Sequence, residues 1–350
     1  MRILVHEFVT GGGFAGREVP ASLAREGSAM LTALVADLAA IRGHQIVTTA
    51  DRRFPVSAPP GVEVVTFSPG DADLLDRLIA SADAVWLIAP ETNRCLERLA
   101  VRAEQAAKPL LGSGSAAIRR ASDKAGLPRR LASYGVLHPK TRVLCEGADR
   151  RTAAHEIGYP IVVKPARGAG CHGVGLARDL RELGHAVDRA HQANRSQPVL
   201  LQRYVPGMAA SVSLLADGER AVALSVNAQS VRAAKAFSYR GGSTPFDHPL
   251  AERAIEAALG ACQSLPGLRG YVGVDLVLTK SEAIVIEVNP RLTTSYLGVR
   301  SALDANVAAL ALAACAGTLP ASPRSRRSVR FTAGGRIVST PLHRSALVGL

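Results

Sequence analysis

A chain of 350 residues leaves room for two or three domains and for a sizeable core. It is 47% hydrophobic and 20% charged, and no uncharged apolar run reaches the roughly 18 residues of a membrane span, so it reads as globular with no membrane partner. The net charge of +13 points to an anionic small-molecule substrate and not to nucleic acid: the arginines are dispersed, only "PRSRRSVR" (323–330) is dense, and 4% aromatics is poor for base stacking. Five scattered cysteines without a CxxC pair fit a reduced, cytoplasmic setting.

The first 112 residues alternate between strand and helix. "RILVHEF" is a strand and not a signal peptide, because His6 and Glu7 interrupt the apolar run. Residues 21–42 are an Ala/Leu-rich helix stopped by Gly43. "QIVTTA" and "VEVVTF" are short strands, "DADLLDRLIASA" a helix, "AVWLIAP" a strand and "ETNRCLERLAVRAEQA" a helix. This order implies an α/β layer on a mostly parallel sheet.

The character changes near residue 113. Two helices broken around Gly126–Pro128 lead into the strand "KTRVL", a helix over 150–157, and the strands "YPIVVKPA" and "GVGLA". After a helix at 179–194 come the strands "VLLQRYV", "ASVSLLAD" and "RAVALSVNAQSV", the last two joined by the turn "DGER". "AFSYRGGSTP" (236–245) reads as a Gly-rich loop before a helix at 249–264. "GYVGVDLVLT" and "AIVIEVNP" form a further strand pair, and a final helix covers about 301–316. Strands with few crossover helices imply antiparallel sheet, so the whole is α/β followed by α+β.

Two glycine loops invite a phosphate reading. In "LVHEFVTGGGF" (4–14) the Walker lysine is missing. Gly11, Gly13 and Gly16 have GxGxxG spacing, but Pro20 intervenes before the helix and no acid follows until Asp51, which argues against a dinucleotide fingerprint. That leaves a loop that lets backbone approach a ligand, or a plain strand-to-helix turn. "YPIVVKPARGAGCHGVGLA" (159–177) carries more. Lys164 lies in an apolar strand, where its charge needs an anion. Gly168, Gly170, Gly173 and Gly175 follow, able to lay backbone N–H groups over phosphates.

The acidic counterpart lies downstream. Asp275, Glu287 and Asn289 are oxygen donors in strands that should pair, and Glu287 and Asn289, two apart, share a face. Such a set suits a hard divalent cation bound together with substrate phosphates. Arg291 continues the same period of two and could neutralise a transferring phosphoryl group. In the 236–245 loop, Tyr239, Arg240 and Gly241 could close over a substrate carboxylate or ring, the alternative being a solvated connector. Glu7, with Gly11, Gly12 and Gly13, would form the opposite wall and hold an ammonium group.

Taken in order, "SDK" (Lys124), "IVVKPARGAGCHGVG", "LLQRYVPG" (200–207), "VDLVL" and "IEVNPR" resemble the ATP-grasp superfamily of ligases. The resemblance implies three parts: a pre-ATP-grasp α/β domain (1–112), an ATP-grasp domain (113–320) with a lid at about 140–205, and a basic C-terminal extension (321–350). It further implies ATP between two α+β subdomains. Lys124, Lys164 and the loop of Gly168, Gly170 and Gly173 would meet phosphates. Gln202, Tyr204 and Val205 would form the hinge that reads adenine. Asp275, Glu287 and Asn289 would hold Mg²⁺ or Mn²⁺, with Arg291 catalytic. The implied reaction makes an acyl phosphate from a carboxylate and attacks it with an amine. Gln202 departs from the family's usual Glu, and Ala209 and Ala210 stand where a Glu often follows the hinge. "HEFVTGGG" and "LIAPET" (87–92) also resemble the tyramine–glutamate ligases of methanofuran-type cofactor synthesis. The expected partners are then a small acid and amine, glutamate (through its γ-carboxylate) and tyramine, in a chain free to form a homodimer. A dipeptide ligase of the D-alanine–D-alanine type and a non-catalytic nucleotide-binding module are the alternatives.

Overall fold

The computed structural model describes residues 1–341 except 69, 72, 146, 169, 170, 195, 196, 234 and 322. The chain opens with β1 (Arg2–Glu7), α1 (Ala21–Ala39), β2 (Gln45–Asp51), β3 (Glu63–Phe67), α2 (Leu74–Ser81), β4 (Ala84–Ile88) and α3 (Cys95–Gln105). The four strands form a parallel sheet in the order β3-β2-β1-β4. Both faces are covered, so β4 is apolar throughout and β1 is apolar from Ile3 to Val5, as strands buried on two sides require. Ile3, Val5 and Trp86 pack with Leu31, Leu34 and Leu38 of α1. Leu4, Val85 and Leu87 point the other way, into α2 and α3. Each such buried side chain stabilises the layer by about 1.5–3 kcal/mol.

Two short helices follow, α4 (Ser115–Ala121) and α5 (Leu127–Ser133), the second with Pro128 in its first turn. Next come β5 (Thr141–Leu144), α6 (Arg150–Ile157), β6 (Ile161–Pro165), β7 (Gly175–Ala177), α7 (Leu180–Ala193) and β8 (Val199–Arg203). They build a four-stranded antiparallel sheet, β5-β8-β6-β7, with α6 and α7 on one face over Ile161, Val163 and Leu201. Asp149 and Asp179 cap the two helices by accepting backbone N–H groups of their first turns.

The remainder is β9 (Met208–Asp217), β10 (Ala221–Arg232), β11 (Ser238–Thr244), α8 (Ala251–Gln263), β12 (Arg269–Leu278), β13 (Ala283–Asn289), α9 (Tyr296–Ala302), α10 (Val307–Cys315), β14 (Arg327–Thr332) and β15 (Ile337–Pro341). Seven antiparallel strands run β13-β12-β9-β10-β11-β14-β15. One face buries α8 with α4 and α5; the other joins α9, α10 and the N-terminal layer in a shared core. No described helix is long and apolar enough to cross a membrane.

Three stretches differ from the sequence reading. Residues 236–245 are not a loop: 238–244 form β11, paired with β10 and β14. The last helix is two, since Leu303 to Asn306 break it and Asn306 caps α10 through the Ala309 N–H. Residues 327–341 of the basic C-terminal segment pair as β14 and β15, with Phe331 buried in the shared core.

Candidate functional site

The register of β12 against β13 sets Asp275 directly opposite Glu287 and Asn289 opposite Gly273. Asp275 accepts hydrogen bonds on both oxygens, from Asn289 Nδ2 at 3.0 Å and from Gln229 Nε2 at 2.8 Å. Glu287 is ion-paired with Lys124, which the turn between α4 and α5 carries across to the sheet. From the smaller sheet, β6 contributes Lys164, 6% exposed, whose Nζ donates to Gln202 Oε1 at 3.0 Å. Gln202 in turn donates to Thr141 Oγ1 at 2.8 Å, so β5, β6 and β8 jointly hold the lysine.

These groups perturb one another. Burial, with the Glu287 charge added, pushes Asp275 up to about 7. Burial would also raise Glu287, but Lys124 and Lys164 outweigh it and hold that carboxyl below its usual range. Burial and then the Lys124 charge push Lys164 down to about 8. Lys124 loses charge stability to burial and more than regains it from Glu287, Glu91 and Asp275. The result is two cations, Lys164 buried and Lys124 half-buried, facing two half-buried carboxylates. Asp275, Glu287 and Asn289 offer only oxygen, the donor type of a hard divalent cation, and are too few to enclose one without further ligands from a substrate. Among the described residues there is no group of three His, Cys, Asp or Glu side chains that could hold a metal.

Gln229 escaped the sequence reading. Its signal lay in "SVNAQ", where Ser225, Asn227 and Gln229 alternate with apolar residues on a strand whose polar side is buried. Asn227 on that face binds Ser211 and Ser213 of β9. Glu91 escaped too. It follows β4 and grips Arg291 bidentately, Nε to Oε1 at 2.8 Å and Nη2 to Oε2 at 3.0 Å. Arg291 therefore does not share a strand face with Glu287 and Asn289: β13 ends at Asn289, and the period of two ends with it.

The remaining candidates separate. Gly168 and Gly173 lie in the β6–β7 connection, whose Val174 carbonyl accepts the Phe237 N–H; Gly170 lies outside the described residues. Tyr204 and Val205 link β8 to β9, and the Tyr204 N–H is taken by the Pro160 carbonyl at 3.0 Å. As neighbours on β11, Tyr239 and Arg240 point to opposite faces and cannot close together over one ligand. Tyr239 is half-buried, within reach of the charges of Glu26 and Asp275, whereas Arg240 is exposed. Gly241, with φ 130°, permits close pairing instead: a Cβ there would lie 2.0 Å from the Phe331 carbonyl oxygen.

Glu7 does not offer its carboxylate to an ammonium group. It is 1% exposed and caps its own turn, accepting from Val9 N at 2.9 Å and from Thr10 N and Oγ1, each at 2.6 Å. Gly11 is needed for close approach, since a Cβ would sit 2.2 Å from the Glu7 carbonyl oxygen; Gly12 and Gly13 likewise press on Phe67 and Phe8. The triple glycine packs the turn.

An ATP-grasp domain profile matches residues 121–295, and a pre ATP-grasp 3 domain profile matches 44–118. A solved ATP-grasp superfamily protein from Archaeoglobus fulgidus is 27% identical, with a TM-score of 0.69 over 94% of this chain and 92% of that one. The L-amino acid ligase of Bacillus licheniformis shares the fold at 17% identity, with a TM-score of 0.65 over 94% of this chain and 78% of its own. The carbamoyl phosphate synthase large chain of Myxococcus xanthus (strain DK1622) is 26% identical over 219 residues, 61% of this chain; the chain spans only 20% of that relative's length. The ATP-grasp match takes in half of the 350 residues, from the helix before Lys124 to the turn after Arg291, and on that basis the chain belongs to the ATP-grasp family.

Proposed function

We propose that this protein is an ATP-dependent, ADP-forming carboxylate–amine ligase. The observation that carries the reading is the convergence of Lys124 and Lys164 on Asp275 and Glu287 where the two antiparallel sheets meet. ATP phosphates would replace Gln202 as the partner of Lys164 and favour its charged form. The β6–β7 connection, with Gly168 and Gly173, would cover them and exclude water. Gln202, Tyr204 and Val205 would border the base. Mg²⁺ or Mn²⁺, held by Asp275, Glu287 and Asn289, would neutralise phosphate charge during phosphoryl transfer. Arg291, kept in place by Glu91, would face the transferring group.

In the proposed reaction a carboxylate oxygen attacks the γ-phosphorus and ADP departs. The amine then attacks the acyl carbon, phosphate departs, and the nitrogen loses its proton. The narrower reading takes L-glutamate, through its γ-carboxylate, and tyramine to γ-glutamyltyramine; it is supported by the "HEFVTGGG" and "LIAPET" stretches and by Tyr239 beside the acidic cluster. A cytoplasmic setting is proposed with it, in keeping with five free cysteines. The test is an ADP-release screen of amino acids crossed with amines, glutamate plus tyramine included. Release that needs ATP and both substrates is expected. MgATP binding without ADP release for any pair would replace the ligase with a non-catalytic module. Asp275→Asn and Glu287→Gln should each abolish release while the chain stays folded by circular dichroism; near-normal turnover of both at saturating Mg²⁺ would refute the metal assignment.

A further inference from the structure

In an open parallel sheet, ligands bind where the strand order reverses, because the chains leaving two neighbouring strands part to opposite faces. In β3-β2-β1-β4 that point lies between β1 and β4. The helix after β1 packs on the Ile3 and Val5 face, and the helix after β4 packs on the Leu4 and Leu87 face. A cavity of about 420 Å³ opens there. One wall is the chain after β1, with Gly12, Gly13 and Arg17; the other is α3, with Arg98 and Arg102.

Its chemistry is one-sided. Three guanidinium groups line it, and none of the described lining residues is acidic. Arg102 is fixed by Asp76 of α2, with Nε to Oδ1 at 2.8 Å. Arg98 has only a weak contact with Cys95 Sγ at 3.7 Å, and neither it nor Arg17 is ion-paired among the described residues. Phe8, stacked edge-on against Phe14 at 5.2 Å, adds an apolar surface. Beside Arg102 the buried His6 leaves Nε2 without a partner among the described residues, and Phe67 packs against both His6 and Gly12. The volume falls within the range of small-molecule pockets, and unpaired arginines favour the planar, paired oxygens of carboxylates and phosphates.

We propose that this crevice binds a small organic anion, bearing carboxylate or phosphate oxygens on a short apolar body, at a site separate from the acidic cluster of β12 and β13. None of its lining residues belongs to that cluster. The test is isothermal titration of the full chain at low ionic strength with two probes, succinate and inorganic pyrophosphate. At least one should bind with a Kd below about 1 mM. The Arg17→Ala/Arg98→Ala double variant should weaken that binding at least tenfold, and Arg98→Gln alone should weaken it measurably. The distant Arg129→Ala should leave it unchanged. Binding of succinate alone assigns a carboxylate ligand, and of pyrophosphate alone a phosphoryl ligand. No binding of either probe would overturn the proposal, as would binding that the Arg17→Ala/Arg98→Ala variant leaves intact or that is lost equally with Arg129→Ala. The readout needs no turnover, so it stands or falls independently of the ligase reading.

Discussion

Lys164 carries its charge inside a strand, and burial makes that charge costly. Burial holds its pKa at about 8, below the ordinary 10.5. Between those values the unfolded chain binds the extra proton, so stability rises with pH across that window and the full penalty is present below it. Lys164→Met removes the penalty. At pH 7 the variant should melt at or above the wild-type temperature while its affinity for ATP falls at least about tenfold, by calorimetry. Lost stability with normal ATP binding would make the lysine a structural residue only. Gln229 sits one step further from the proposed cation, orienting Asp275 through a single hydrogen bond. Outer partners of metal ligands are commonly worth 10–100-fold in metal affinity. Gln229→Leu should therefore raise the Mg²⁺ concentration for half-maximal ADP release roughly tenfold. The KM of the amine should not move, and an unchanged Mg²⁺ requirement would count against the role.

Among the elements, β11 shows how much a strand can depend on what lies far away in the chain. "SYRGGST" has no apolar alternation, and its two glycines read as a turn. Its cover comes from elsewhere: Phe331 of β14 packs across Gly242, and the positive φ of Gly241 lets the two backbones meet. Gly241→Ala should cost more than about 1 kcal/mol, since alanine meets both strain and a backbone collision. Urea unfolding measures this, and a midpoint equal to wild type would show that β11 and β14 adjust freely. The same contrast governs legibility across the fold. The parallel layer, the β12–β13 pair and the lysine in β6 could be read because local apolar runs interrupted by single charges are a local signal. The Arg291–Glu91 pair is separated by 200 positions, and the Glu7 turn is closed by contacts that no motif encodes. Gln229 lay between these cases, visible as a buried polar stripe but not as a partner of Asp275.

For the molecule as a whole, the N-terminal layer docks on the large sheet through the Glu91–Arg291 pair and through a second charged centre at Asp37. Asp37 of α1 accepts from Arg300 Nε at 2.8 Å and from Tyr296 Oη of α9, while its carbonyl accepts from Asn306 Nδ2 at 2.8 Å. Hydrogen bonds to charged groups contribute about 1.5–3 kcal/mol, so Asp37→Ala should lower the unfolding free energy by about 2–3 kcal/mol. The KM for ATP should stay the same, because none of these groups touches the acidic cluster; a change in KM without loss of stability would contradict this docking role. The strand order also bears on biosynthesis. β11 lies between β10 and β14, yet β14 and β15 come from residues 327–341, after the other five strands of this sheet have been translated. Until Phe331 emerges from the ribosome, the nascent sheet presents β11 as a bare edge and the space above Gly298 stays unfilled. An unpaired edge is a template for pairing with another chain. Translation that stalls before residue 327 therefore releases a polypeptide poised to aggregate, and the arginine-rich segment that looks like a dispensable tail is the closing stitch of the core.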